Sequence, residues 1–509
     1  MTSEPARVVD PLDIEAHRLS VVVERPAGPA ERWMKRVSLP LGPLVCAAIL
    51  AWPVPDGLTP QGRAALASFA LALIWWVGEP LPTYVTSLVL MLLLVLTQAW
   101  DEARVLGVLG LDVIWLNVMA FVLSAILIKT HLAKRLALHL LARFGHRAST
   151  TLLAFVLLQL ALAPLIPATA ARAVMTLPLM LVVAALYHST AQAPTNFGRN
   201  LFLQNLMGIN IFSSGFMTGS TANLMAVGFI LTMGGTQVYY TDWLLAALPV
   251  ALAGMAIVWW IGPRLLMPIP AEDAMPKITG GLDALKSQLS GMGPMSGAEK
   301  KGMLIFGTVV LLWATDRFHE AWFGVSISAV MAAMAGVIVA LSPRIGILSW
   351  NDTDIPWHLL IFSAGAYAGG LALDNTGAAR WAIQQVFDAL DIRPGMNFWV
   401  VYAAVIAVNM YAHFFFTSKT VRTVIMIPMV ITLAQVLGLP VLALALPAAF
   451  TIDWVIGLPI SAKPNLILFT TGQYSLLDQL KYSLVMTTIG VVLLIVAGMT
   501  WFRVLGIVP

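Results

Sequence analysis

Residues 417–428 read TSKTVRTVIMIP and place Lys419 and Arg422 three residues apart inside a long apolar stretch. Two cations there are costly if the stretch lies in lipid, so its surroundings decide the fold. Of 509 residues, 59% are hydrophobic and only 11% charged, with a mean hydropathy of +0.85. That composition excludes a soluble globule and implies an integral membrane protein. Apolar runs of about twenty residues recur along the chain, the length needed to cross ~30 Å of hydrocarbon as a helix. Runs such as ALASFALALIWWVG (65–78) lack the apolar–polar alternation of barrel strands. The expected fold class is all-α and polytopic.

Hydropathy predicts spans near Val37–Val54, Ala64–Gly78, Thr83–Trp100, Val113–Thr130, Leu203–Thr232, Trp243–Leu266, Met303–Thr315, Ala321–Leu341, Trp357–Leu373, Val441–Thr471 and Tyr482–Phe502, about 11 in all. Thr150–Tyr187 and Met396–Leu437 are too long for one helix and are broken centrally by small and basic residues, so each reads as a re-entrant helical hairpin or as two ordinary spans joined by a wet loop, and the hairpin reading is the one followed by the repeat below. Residues 1–36 carry charges of both signs and prolines without the apolar core of a secretory signal, and read as a cytoplasmic tail. The single cysteine, Cys46, sits among apolar neighbours and reads as an inert packed thiol. The basic segments 129–147 and 268–301 read as loops expected on the cytoplasmic side, and counting crossings from a cytoplasmic N-terminus puts both there. The pI near 9.2 is thereby explained without nucleic acid.

The chain repeats itself. TSKTVRTVIMIPM (417–429) echoes PATAARAVMTLPL (167–179), matching Arg422 to Arg172, Val424 to Val174 and Pro428 to Pro178. NTGAARWAI (375–383) follows KTHLAKRLA (129–137), and SAKPNL (461–466) follows GSTANL (219–224), in the same order. Two homologous halves are expected: residues 64–267, with a hairpin at about 150–188 and a broken helix at about 203–232, and residues 303–509, with a hairpin at about 396–438 and a broken helix at about 441–472. Residues 37–63 form a preceding span and 268–302 a cytoplasmic linker. Five crossings and one hairpin per half invert the second copy, an arrangement typical of transporters with a midplane site.

Both GSTANL and SAKPNL interrupt a helix at membrane depth, where irregular backbone survives only against protein or a water-filled cavity. Arg172, Lys419, Arg422 and Lys463 lie near these centres against one acidic neighbour, Asp453, which is close enough in sequence to pair with Lys463. A cation at bilayer depth costs roughly 2.5–3.5 kcal/mol, so the excess points to an anionic ligand, and the planar forks of two arginines suit carboxylates.

At these residues the chain resembles the divalent anion/sodium symporter family, within the larger ion-transporter superfamily, over nearly everything after residue 60. EPLPTYVTSL (79–88) is similar to the family's acidic-x-x-Pro segment, the hairpin centres stand where the family has paired Ser-Asn-Thr motifs, and GSTANL and SAKPNL stand at its broken-helix turns. The resemblance implies substrate contacts at Thr169, Ala170, Arg172, Thr221, Asn223, Ser418, Lys419, Thr420, Arg422, Lys463 and Asn465. It also implies a homodimer in which a transport domain slides past a scaffold in an elevator motion. Both motif asparagines are replaced here, the first motif reading Ala168, Thr169, Ala170 and the second Ser418, Lys419, Thr420, which argues against sodium coupling. Ala171–Arg172 is similar to the family's sodium-independent branch, the citrate/succinate and 2-oxoglutarate/malate translocators.

The expected function is elevator-type exchange of small di- or tricarboxylate anions across a bacterial inner membrane, with no metal and no cofactor. The rival readings are sulfate or another oxyanion as cargo, sodium- or proton-coupled symport with Asp453 or His413 as relay, and a channel. An intramembrane enzyme is disfavoured, because His319–Glu320 is followed by AWFG rather than by a second histidine.

Overall fold

The computed structural model describes residues 29–278, 281–389, 395–416 and 418–509. The expected tail, through residue 28, and Thr417 lie outside the described residues. Helix α1 (Pro29–Ala51) is followed in the first half by α2 (Pro60–Gly78), α3 (Thr83–Leu96), α4 (Glu102–Gly107), α5 (Asp112–Lys129), α6 (Leu132–Phe144), α7 (Ala148–Leu162), α8 (Thr169–Leu186), α9 (Asn196–Gly215), α10 (Thr221–Thr232) and α11 (Tyr240–Ile261). The linker carries α12 (Gly281–Gly291). The second half holds α13 (Gly297–Ala314), α14 (His319–Phe323), α15 (Ala329–Leu341), α16 (Trp357–Asn375), α17 (Ala378–Ala389), α18 (Phe398–Ala412), α19 (Lys419–Leu437), α20 (Val441–Thr451), α21 (Lys463–Phe469) and α22 (Leu476–Ala497). No strand occurs among the described residues.

Large apolar side chains cover the outside, and several polar and charged ones lie within the apolar interior. Leu96, Leu304 and Leu477 are exposed, while Asn210, Arg172 and Asp453 are fully buried, the distribution expected when the surrounding solvent is lipid. By length and composition, six helical segments among the described residues suit a bilayer crossing: Arg32–Ala51, Glu102–Lys129, Thr169–Leu186, Tyr240–Leu266, Lys419–Leu437 and Leu476–Phe502. Other expected spans are helical but shorter, such as α3 with 14 residues and α15 with 13.

Two sequence expectations change. Helix α1 begins at Pro29, inside the segment read as tail. The basic stretch after the fourth expected span is not a loop: it holds α6, whose Ala133, Ala137, Leu138 and Leu141 are buried at helical spacing. Arg135 is buried on that same face, paired with Glu299 and donating to the carbonyls of Met292 and Gly293, so part of the positive charge that suggested a wet loop is a tie to the linker and α13.

Both ends of the first hairpin meet the linker. The Ala148 N–H donates to the Ala274 carbonyl at 2.9 Å, the Lys277 N–H donates to the Leu186 carbonyl at 2.8 Å, and the hydroxyls of Thr151 and Tyr187 lie 3.2 Å apart. Helices α7 and α8 therefore leave this end of the bundle and return to it. The second hairpin closes at the opposite end: Gln435, in the last turn of α19, donates to the Met233 carbonyl beyond α10, where α11 starts and Asp316 accepts from the N–H groups of Tyr240 and Thr241. The halves interlock, with α10 packed on α19 and α21 on α8.

Candidate functional site

The helix pair α9–α10 is interrupted at 216–220 and the pair α20–α21 at 452–462. Interrupted helices strand carbonyls that water cannot reach, and each break recruits an asparagine to satisfy them. The side-chain N–H₂ of Asn223 donates to the carbonyls of Ser213 and Phe216 at 2.8 and 3.0 Å. Asn465 donates to those of Val455 and Leu458 at 2.9 and 3.1 Å, with the same sequence separations of ten and seven. The residues that open the following helices, Ser220 and Ala462, share an extended backbone, φ −156° in both. Asn465 also accepts from Asn210 at 3.0 Å, tying the two breaks together.

Each hairpin delivers a buried arginine onto its own break. Arg172, in the first turn of α8, uses one terminal nitrogen to donate to the carbonyls of Ile209 and Gly219 at 3.0 and 3.2 Å and to the Ser213 hydroxyl. Arg422, in the first turn of α19, uses the corresponding nitrogen to donate to the carbonyls of Thr451, at 3.0 Å, and Ile452. Nε and Nη1 of Arg172 and Nη1 of Arg422 are buried without a partner. Guanidinium donors left open in a buried place are costly unless an anion arrives to take them.

Asp453 stands between the two. Its carboxylate accepts from Lys419 Nζ at 2.7 Å and from the Ser220 hydroxyl at 2.8 Å, and it acts electrostatically on both Arg172 and Arg422. Hydrogen bonds thus run from Arg172 through the Gly219–Ser220 turn to Asp453 and on to Lys419. Arg422 holds the carbonyl just before Asp453.

Of the residues expected from sequence, Thr169, Arg172, Thr221, Asn223, Arg422 and Asn465 are buried here, and Ala170, Ser418, Lys419 and Thr420 are half-buried beside them. The Ser418 hydroxyl caps α19 by accepting from the Val421 N–H and lies 3.3 Å from that of Thr420. Lys463 is exposed, and Asp453 pairs with Lys419 instead of the sequence neighbour Lys463. The chain between them is extended at Leu458 and Ala462, which carries Lys463 away, whereas α19 starts against the end of α20. His413 is buried under Arg422, with Nδ1 at 2.5 Å from the Met410 carbonyl, and is a packed helix-end residue. Sequence reading missed Ser220 and Ser213. Ser220 was detectable as the N-cap of α10, since its hydroxyl accepts from the Asn223 N–H.

With this geometry in view, the chain's similarities take on meaning. The profile of the sodium:sulfate symporter transmembrane region matches residues 31–508. A membrane protein of Cupriavidus necator is 27% identical over 479 residues, 90% of each chain. An L-tartrate/succinate antiporter of Escherichia coli is 25% identical over 94% of this chain and 99% of its own. A sodium-dependent dicarboxylate transporter of Staphylococcus saprophyticus is 25% identical over 86% of both chains.

Proposed function

The chain belongs to the sodium:sulfate symporter transmembrane family, and from that membership we propose that it exchanges small di- or tricarboxylate anions across a bacterial cytoplasmic membrane without sodium. Membership makes it a multi-pass membrane transporter and not an enzyme. The observation that carries the finer reading is the pair of buried guanidinium groups, one from each hairpin, that keep open N–H donors while facing a single carboxylate between them. The buried Arg172 and Arg422 with the half-buried Lys419, against Asp453, leave a positive excess that an anionic cargo offsets. Carboxylates fit guanidinium forks in the bidentate manner. The relative named as an L-tartrate/succinate antiporter supports exchange of dicarboxylates.

The relative named as sodium-dependent marks the rival coupling. Fixed cations replace what sodium would bring, and at reduced dielectric a sodium ion about 4 Å from one of them meets about 4 kcal/mol of repulsion. Inverted repeats are supported by the two hairpins closing at opposite ends. Helices α7–α10 and α18–α21, interlocked through Asn210–Asn465 and Ser220–Asp453, form the unit that slides as an elevator in each protomer of a homodimer. Thr169, Thr221, Ser418 and Thr420 offer hydroxyls to cargo, and Lys463 adds positive potential at the solvent edge.

Proteoliposomes test this. Uptake of labelled succinate is expected to require internal dicarboxylate, to ignore a sodium gradient and to be competed by tartrate but not by sulfate. Uptake that needs sodium and is indifferent to internal substrate overturns exchange, and uptake driven by a pH gradient in its place selects proton symport.

A further inference from the structure

We propose that Asp453, paired with Lys419, sets the valence of the cargo at two. The inference rests on the carboxylate-exchange reading above and narrows it. In the register that aligns Asn223 with Asn465, Asp453 takes the place of Ile211, and in the register that aligns the two arginines, Lys419 takes the place of Thr169. The frame common to both halves therefore carries two positive charges, Arg172 and Arg422. The second half adds one charge of each sign, and those two are bonded to each other at 2.7 Å. Lys419 alone would raise the buried charge to three; Asp453 returns it to two.

Polar and charged groups meet Asp453 from α8, α10 and α19. Ser220 donates to it from the start of α10, Lys419 and Arg422 face it from α19, and Arg172 faces it from α8. His413 packs beneath Arg422, with its Nδ1 2.5 Å from the Met410 carbonyl. Lys463 is exposed, so water screens its charge. The Asp453 oxygens are occupied by Lys419 and Ser220, whereas the open donors belong to the arginines. A dianion on those donors leaves the buried cluster neutral. A monoanion leaves it positive and a trianion leaves it negative, and either residue of charge resists passage through a medium of low dielectric.

The test is labelled-succinate counterflow at a pH where citrate is fully ionised, with unlabelled succinate and citrate as competitors, in the wild type, Asp453→Asn, Lys419→Gln and the double variant. The wild type is expected to favour succinate, with exchange indifferent to an imposed membrane potential. Asp453→Asn is expected to shift the citrate-to-succinate ratio toward citrate by at least about tenfold. The double variant, which removes one charge of each sign, is expected to restore the succinate preference. Should Asp453→Asn fail to fold, Lys419→Gln against the double variant decides: the former is expected to accept monocarboxylates and the latter to return to dicarboxylates. A wild type that exchanges no carboxylate overturns the exchange reading and this one with it. A wild type that exchanges, with either substitution leaving the valence preference unmoved or the double variant failing to restore it, overturns this inference alone.

Discussion

At the first interruption Asn223 ties down Ser213 and Phe216, and Arg172 closes over a turn only five residues long in sequence, 216–220. At the second, Asn465 does the same for Val455 and Leu458, but the unwound stretch runs from 452 to 462 and also holds Asp453, with Lys419 beside it. The longer stretch strands further carbonyls. Arg422 takes those of Thr451 and Ile452, and Gln479 and Ser483 from α22 donate to that of Ile456. Residues that match between the halves thus satisfy backbone and carry the two positive charges common to both, and residues that differ add one charge of each sign. Two asparagines and two arginines donate to carbonyls at the broken helices, while Thr169 against Lys419 and Ile211 against Asp453 are the differences that the proposal above makes responsible for what the site binds.

The strongest way to break this comparison is to remove its matched cations separately. Arg172→Gln and Arg422→Gln each delete one fork, and a charge-assisted hydrogen bond contributes about 1.5–3 kcal/mol, so the loss of a bidentate pair is expected to cut exchange by about a hundredfold or more in each case. Counterflow measured on protein that remains monodisperse reads this. Near-normal exchange in one variant beside none in the other would mean that cargo sits on one half and that the other arginine serves its turn alone.

A smaller effect sharpens the matched pair of asparagines. Truncation to alanine removes two hydrogen bonds at either break, each contributing about 0.5–1.5 kcal/mol, while the carbonyls of Ser213, Phe216 and Leu458 keep the backbone N–H donors of Phe216, Gly219 and Ser461. Asn465 additionally accepts from Asn210, whereas the Asn223 side-chain oxygen is buried without a partner. Asn465→Ala is therefore expected to melt lower than Asn223→Ala, by the equivalent of about one hydrogen bond, ~1 kcal/mol. Equal melting temperatures would remove the Asn210 contact from the account.

Much of this was legible in the residues. Length and apolarity placed most of the helices, and the echo of PATAARAVMTLPL in TSKTVRTVIMIPM picked out two arginines, Arg172 and Arg422, that are both buried in the first turn of a helix. Partnership was less legible. Asp453 lies ten residues from Lys463 and thirty-four from Lys419, yet it pairs with the latter, because the intervening backbone leaves the α-helix and is extended at Leu458 and Ala462, and sequence distance says nothing about which way such a segment faces. Helix α6 was hidden for a related reason. Its basic residues signal a wet loop until one of them, Arg135, is seen to be buried against Glu299.

The smallest expected effect concerns the tie between the halves at the linker end. Lys129 closes α5 and donates to Asp352, ahead of α16, at 2.6 Å. That hydrogen bond, with those from Ser349, draws the Asp352 carboxyl down to about 2. A carboxyl held below its unfolded value, about 3.9, adds stability above that value and loses it as pH falls from about 4 toward 2. Both side chains are partly exposed, at 46% and 31%, so salt screens the pair and its contribution is small beside the buried ties. Asp352→Asn is expected to melt slightly below the wild type near pH 7, with the gap narrowing in high salt and closing as the pH approaches 2. A gap that survives both treatments would assign the contact to turn geometry, since the Asp352 carboxylate also accepts from the Ser349 N–H, and the halves would then be held at this end by Arg135 and Glu299.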